Sequence, residues 1–334
     1  MFRNIKCKMW LRIAVMLGLF CLVLNTTGCR IGKYQIRFGK GDETETVFSF
    51  GEYRECTKEE LFVYFLIDKA EYEDTFGEML WDMQVSDFTM EEFVKNNVLT
   101  KAIYNESMSA LAVSRGIELS DEQNKKAKDL ASYLYASLEN EKNINCDISI
   151  EDIEEVYESY LLAESIYDYL TESVDTEISD AEAKVIILQC IRCDYNEGAV
   201  GDTYEFMSKL HNELQTGKPD LLIAQYGDRV ESSVIEVAKG ELTQKTVDGR
   251  TLEEVVYALA EGEISELLTV IDDGYYIFIS IDDYDSAKTD LNKINILEKR
   301  KNAIVEEAYN DFLNDVEYTF DTELWENIDF LYNS

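Results

Sequence analysis

Two cysteines, Cys190-Ile-Arg-Cys193, stand at a spacing that serves dithiol exchange or zinc binding. The pair extends the apolar run Val185 to Leu188, which reads as a buried strand, and strand residues three apart face opposite sides. A bridge between them would break the strand. A zinc site needs about four ligands, and the chain has one histidine, His211. Buried or half-buried thiols are therefore expected, with no metal and no cofactor. His211 falls in a helical pattern, where a lone histidine is expected as a surface residue. Ser-His-Asp hydrolysis has only that histidine to use and no Gly-x-Ser-x-Gly elbow. With 68 Asp and Glu in the chain, no single carboxylate pair is informative. Asp282-Asp283-Tyr284-Asp285 reads as a solvated face, or at best a weak cation site.

The 334 residues allow about two domains of roughly 100 to 200 residues each. Removing the four basic residues of the leader, Arg3, Lys6, Lys8 and Arg12, takes the net charge from −37 to −41. Such a chain does not bind a phosphate backbone, so nucleic acid is excluded as a partner. Residues 1–28 have a basic start and an apolar stretch, Ile13 to Leu24, of 12 residues, short of the ~20 that a spanning helix needs. They read as an export signal. It ends in Thr26-Thr27-Gly28-Cys29, which looks like a bacterial lipobox with Cys29 acylated; ordinary cleavage and an uncleaved anchor are the alternatives. The expected location is extracytoplasmic, lipid-anchored to the bacterial cell membrane. Beyond Cys29 only Cys56, Cys146, Cys190 and Cys193 remain, too few for a dense disulfide framework.

Around these residues the patterning is first helical. Tyr34 to Phe38 and Val47 to Tyr53 can form short strands. Capping boxes then mark successive helix starts at Thr57 with Glu60, Thr89 with Glu92, Ser120 with Gln123 and Ser179 with Glu182, and a weaker one at Ser149 with Asp152. Ala127, Leu130, Ala131, Leu134 and Leu138 share a helix face, as do Ile153, Val156, Tyr157, Tyr160 and Leu161. Gly116 closes one helix. From Val185 the reading is strand, helix (Thr203 to Gln215), helix (Leu221 to Tyr226) and strand (Ser233 to Val237). Thr251 with Glu254 then opens a helix carrying Leu252, Val255, Val256 and Leu259, ended by Gly262. Tyr275, Ile277, Ile279 and Ile281 alternate with Tyr276, Phe278 and Ser280, and Asp272-Asp273-Gly274 supplies a hairpin turn. A last long helix, Lys288 to about Val316, carries Leu297, Ile304, Ala308 and Phe312.

The stretch Tyr257-Ala-Leu-Ala-Glu-Gly-Glu-Ile-Ser265, followed by Gly274-Tyr-Tyr-Ile-Phe278, resembles the C-terminal half of the parvulin-type (PpiC) peptidyl-prolyl isomerases. Glu177-Ile-Ser-Asp-Ala-Glu182, the capped helices before it and the lipobox are similar to foldase lipoproteins of the PrsA and SurA type. The resemblance implies an α+β chain in which a parvulin-like α+β domain is inserted into a helical SurA/PrsA-like chaperone domain. The implied segments are a signal peptide at 1–28, a helical chaperone segment at 29–178 and a parvulin-like domain at 179–286. At 287–334 a C-terminal helix would pack back on the N-terminal segment.

In that family an apolar pocket takes the proline ring, and a histidine pair lies beneath the bond. Residue by residue, the pair falls on Ile186 and Tyr276, so the active site looks degenerate. The groove residues fall on Leu252, where an aromatic is expected, on Tyr257 and on Asp273. The Gly-Gly-Asp-Leu-Gly segment appears as Ser-Ser-Val-Ile-Glu. Prolyl isomerase activity is therefore expected to be weak or absent. The implied partners are unfolded or newly exported polypeptides, gripped by some of the 21 tyrosines and 15 phenylalanines, with basic or neutral clients favoured. Whether the chain is monomer or dimer stays open. An active isomerase is one alternative; a ligand-binding lipoprotein of unrelated function is another, for which the chain lacks repeated strand-helix alternation.

Overall fold

The computed structural model describes residues 45–85, 88–138, 147–194 and 200–331. The leader, Cys29, the Tyr34 to Phe38 stretch and Cys146 lie outside them. The fold is α+β, and the chain divides into two compact units, Met1–Glu172 with Ile304–Ser334, and Ser173–Ala303.

Unit 1 begins with β1 (Thr46–Phe50) and β2 (Arg54–Thr57), paired antiparallel. Helix α1 (Lys58–Phe76) follows, opened by the expected box: Thr57 Oγ1 accepts from the Glu60 amide at 3.2 Å, and Glu60 Oε2 accepts from the Thr57 amide at 2.7 Å. A 3-10 turn (Glu78–Asp82) and two short strands, β3 (Gln84–Val85) and β4 (Phe88–Thr89), lead into α2 (Met90–Ser114), capped by Thr89 and Glu92. Gly116, at φ +71, ends it in the left-handed region that glycine enters without strain. The pattern then gives α3 (Asp121–Leu138) and α4 (Ile150–Thr171), each with its box formed, at Ser120 with Gln123 and at Ser149 with Asp152.

Leu61, Phe62, Val63, Tyr64 and Phe65 are all fully buried, so the first half of α1 is enclosed on every side. The chain's end completes this core. Phe330 stacks on Phe65 with ring centroids 4.4 Å apart, and Trp325 and Ile328 join the same cluster.

Unit 2 holds α5 (Asp180–Ala183), β5 (Val185–Asp194), α6 (Val200–Leu214), α7 (Pro219–Tyr226), β6 (Glu231–Ala238), α8 (Leu252–Val256), β7 (Leu268–Val270) and β8 (Gly274–Asp282). The four strands form one antiparallel sheet, in the order β6-β5-β8-β7. Alternation along β5 and β8 fills both faces. Ile186, Leu188, Cys190, Tyr276 and Phe278 pack on one side; Ile191, Cys193, Tyr275, Ile277 and Ile279 pack on the other. The two cysteines are thus free thiols on opposite faces, and burial pushes the Cys190 thiol up to about 11.

Two details differ from the pattern read in the sequence. Helix α8 stops at Val256, and Ala258 and Leu259 continue with tighter bonds to Val255 and Val256 rather than a helix reaching Gly262. The final helix α9 (Ser286–Asp315) belongs to both units, divided after Ala303. Its first part is tied into unit 2, where Thr289 Oγ1 accepts from the Val185 amide at 3.1 Å and Asn292 donates to the Ala183 carbonyl at 3.0 Å. In its last part Val305, Ala308, Tyr309 and Phe312 form the packed stripe in unit 1, while Ile304 is turned outward. Strand β9 (Tyr318–Phe320) pairs with β1, and α10 (Thr322–Glu326) follows. No described helix is long and apolar enough to cross a membrane.

Unit 1 also buries charge. Glu60 and Glu106 share one guanidinium: Arg54 Nη2 donates to Glu60 at 2.7 Å and Arg54 Nε to Glu106 at 2.6 Å. Tyr64 and Ser159 also donate to Glu106, at 2.7 and 2.9 Å, joining β2, α1, α2 and α4 in one network. Burial, then the negative charge of Glu106, pushes the Glu60 carboxyl up to about 8.

Removing the single cation leaves two carboxylates buried together, so Arg54→Met should cost about 3–5 kcal/mol in denaturant unfolding. Beyond the leader the tryptophans are Trp81 and Trp325, both in unit 1, so their fluorescence reports this loss. The pH dependence has a definite sign. Folded Glu60 keeps a proton that the unfolded chain has released above the usual value of 4.5, so its contribution to stability is fully present below 4.5 and is lost as pH rises towards 8. The slope is at most about 1.4 kcal/mol per pH unit, and Glu60→Gln should flatten it.

Candidate peptide-binding site

The five residues expected at an isomerase groove all lie in unit 2 around one face of the sheet. Three join the same apolar cluster: Ile186 from β5, Leu252 from the first turn of α8 and Tyr276 from β8, together with Leu188, Val237, Val255, Val256, Leu268, Val270 and Phe278. The capping box that opens α8 sets Leu252 inward, with Thr251 Oγ1 accepting from the Glu254 amide at 3.1 Å.

Leu252 and Ile186 are each 1% exposed, packed within that cluster. An aliphatic side chain has no polar atom to hold toward an amide, and the hydrophobic effect draws it into the neighbouring core. Tyr257 is half-buried and acts as a clasp. Its hydroxyl donates to the carbonyls of Lys184 at 2.8 Å and Val237 at 3.1 Å, joining the start of β5 to the end of β6.

The polar part of the site lies at the other end of β5. Tyr276 donates from its hydroxyl to Asp273 Oδ2 at 2.8 Å and accepts from Arg192 Nε at 3.0 Å. Arg192 Nη2 reaches Asp273 Oδ1 at 2.9 Å, and its Nη1 reaches Glu231 at 3.1 Å and Asp194 at 2.9 Å. Burial first, then the bond to Asp273, raises the Tyr276 phenol to about 12. The ring is 8% exposed. A phenol held this way stays protonated and already has its donor and acceptor partners. It positions the strand ends.

Local sequence explains this geometry. Asp272, at φ +60, turns the β7-β8 hairpin, and a Cβ on Gly274 would lie 2.7 Å from the Cys193 carbonyl oxygen. Glycine is therefore needed for β8 to begin against β5. Arg192 was not singled out by its sequence, where it read only as a spacer between two cysteines. The available signal was an arginine inside an apolar strand, which requires acidic partners nearby.

The Gly-Glu-Ile-Ser turn is a backbone stitch. Gly262 donates to the Ser280 carbonyl at 2.8 Å, Ser265 to the Phe278 carbonyl at 2.8 Å, and Phe278 to Ser265 Oγ at 2.9 Å. His211 is not a plain surface residue either. It is half-buried, with Nε2 2.9 Å from the Ser265 carbonyl oxygen, and ties α6 to this turn.

No family model matches the chain, and no curated protein matches it. Solved structures similar to it include PrsA- and SurA-like peptidylprolyl isomerase chaperones. One is from the Campylobacter jejuni SurA-like chaperones PEB4 and Cj1289, at 11% identity, covering 83% of this chain and 99% of that one with a TM-score of 0.30. Another is the peptidylprolyl isomerase PrsA of Bacillus anthracis, at 16% identity, with coverage of 64% and 95% and a TM-score of 0.29. PrsA of Bacillus cereus matches at 13% identity, with coverage of 87% and 95% and a TM-score of 0.32.

If Leu252 is core and not groove wall, Leu252→Ala should destabilise unit 2 by about 2–5 kcal/mol. Leu252→Phe should cost about 1–3 kcal/mol by overpacking. Hydrogen exchange of the β5 and β8 amides measures both losses.

Proposed function

We propose that this chain is an extracytoplasmic foldase-type chaperone that holds non-native polypeptides and whose parvulin-like unit is catalytically silent. The observation that supports this reading is the burial of Ile186 and Leu252, each 1% exposed, in one apolar cluster with Tyr276. Isomerisation must overcome the loss of amide resonance, ~18–20 kcal/mol, by gripping a twisted X-Pro bond. A packed core offers no such grip.

The helical segment at 29–178, the isomerase-like segment at 179–286 and the final segment at 287–334 would act as one foldase. Residues 1–28 would direct export, and a diacylglycerol on Cys29 would hold the chain at the outer face of the membrane. The motif resemblance and the excess of acidic residues support clients that are unfolded and neutral or basic. One observation favours residual isomerase activity as a second reading: the Tyr276 hydroxyl is oriented by Arg192 and Asp273, as a catalytic donor would be.

A protease-coupled prolyl assay beside an aggregation-suppression assay, both on the full chain, separates these readings. The expected result is turnover of an X-Pro peptide near the uncatalysed rate, tens to hundreds of seconds, with aggregation of an unfolded client suppressed. Parvulin-like turnover that disappears in Tyr276→Phe would establish the second reading. Absence of both activities would leave an unrelated ligand-binding lipoprotein.

A further inference from the structure

Large apolar side chains crowd one corner of unit 1. Phe76 at the end of α1, Met79 in the 3-10 turn, Met83 after it, Phe88 in β4 and Phe93 in the first turn of α2 are exposed, from 38% at Phe93 to 81% at Met79. All five fall within 18 consecutive residues. Scattered apolar residues on a surface need no explanation, whereas a contiguous group marks a contact surface.

The corner is a built platform. Leu80 is buried in the core, and the Trp81 ring lies 5.7 Å from that of Phe65. Trp81 Nε1 donates to Glu73 at 2.7 Å, and Glu73 also receives Lys69 at 2.9 Å. The Met83 amide donates to the Leu80 carbonyl at 3.0 Å, and the Met90 amide donates to the Met83 carbonyl at 3.0 Å. Strands β3 and β4 pair across Gln84 with Thr89 and Val85 with Phe88. The backbone is thus fixed while Met79 and Met83 stay outside, and thioether chains adapt to partners of varied shape.

Charge selects the occupant. Residues 70–94 contain eight Asp and Glu and no Lys or Arg. Of these, Glu71, Asp74, Glu78 and Glu92 are exposed. A second copy would bring the same four exposed carboxylates to the contact, and an anionic bilayer would be repelled. An apolar segment flanked by cations gains on both counts. We propose that this corner docks non-native polypeptide at aromatic or aliphatic residues flanked by Lys or Arg, an inference that rests on the chaperone reading and supplies its binding surface.

Fluorescence anisotropy of two labelled peptides against the full chain tests this, one with a Leu-Phe-Leu centre flanked by lysines and one with the same centre flanked by glutamates. The lysine peptide should bind roughly tenfold tighter at low salt, and the preference should shrink as salt screens the rim. The triple variant Met79→Gln, Met83→Gln, Phe88→Ser should weaken that binding at least about tenfold with an unchanged melting curve. A second variant, Glu71→Lys with Glu78→Lys, should move the preference toward the glutamate peptide. Undiminished binding by a folded triple variant would overturn the docking corner and leave the chaperone reading standing. A wild-type chain that binds neither peptide and suppresses no aggregation would remove the chaperone reading itself. Dimers by sedimentation that the triple variant abolishes, or displacement of bound peptide by phosphatidylcholine vesicles, would assign the corner to a second copy or to a membrane and overturn the proposal.

Discussion

The pairing of β5 with β8 is the constraint on which unit 2 depends. Cys190 lies opposite Phe278, Ile191 opposite Ile277 and Arg192 opposite Tyr276. Apolar side chains leave both faces of both strands, so a slip of one residue would exchange the two cores and place Arg192 against apolar neighbours. That register puts Ile186 and Tyr276 in one cluster and leaves the space beneath them filled. A polypeptide groove at this place would need side chains that stop short of one another, whereas these meet.

Acidic excess shapes both units. With 31 Lys and Arg against 68 Asp and Glu, cations are scarce and carboxylates gather around those present. Arg54 serves Glu60 and Glu106 in unit 1; Arg192 serves Asp273, Glu231 and Asp194 in unit 2. Asp68 similarly meets Lys101. Guanidinium suits this role because its donors form a planar fork that can satisfy several oxygens at once. Glu71, Asp74, Glu78 and Glu92 are left exposed in the stretch that carries the apolar corner.

Much of this was legible in the sequence because it is local. Capping boxes depend on residues three apart: those at Thr57, Thr89, Ser120, Ser149 and Thr251 form, while at Ser179 the hydroxyl accepts from the Glu182 amide and the Glu182 carboxylate is taken by Arg300. Alternation in Tyr275 to Ile279 gave the two faces of β8, and Asp-Asp-Gly gave its turn. What the sequence hid depends on partners far along the chain. Arg54 meets Glu106 across 52 positions and Arg192 meets Tyr276 across 84. The assignment of Leu252 to a groove came from a family pattern, and its burial follows from neighbours that the pattern does not specify. Ile304 fell on the wrong side of the final stripe because steps of four and seven alone leave its rotation open, and Val305 with Tyr309 took the inner face.

The proposal to be tested is that non-native polypeptide docks on unit 1 between Phe76 and Phe93. Hydrogen-deuterium exchange of the full chain, with and without an unfolded basic client, measures it directly. Protection is predicted between Phe76 and Phe93, with β5, α8 and β8 unchanged. Protection at Leu252 to Tyr257 and Gly274 to Tyr276, with the Phe76 to Phe93 amides unaffected, would contradict it.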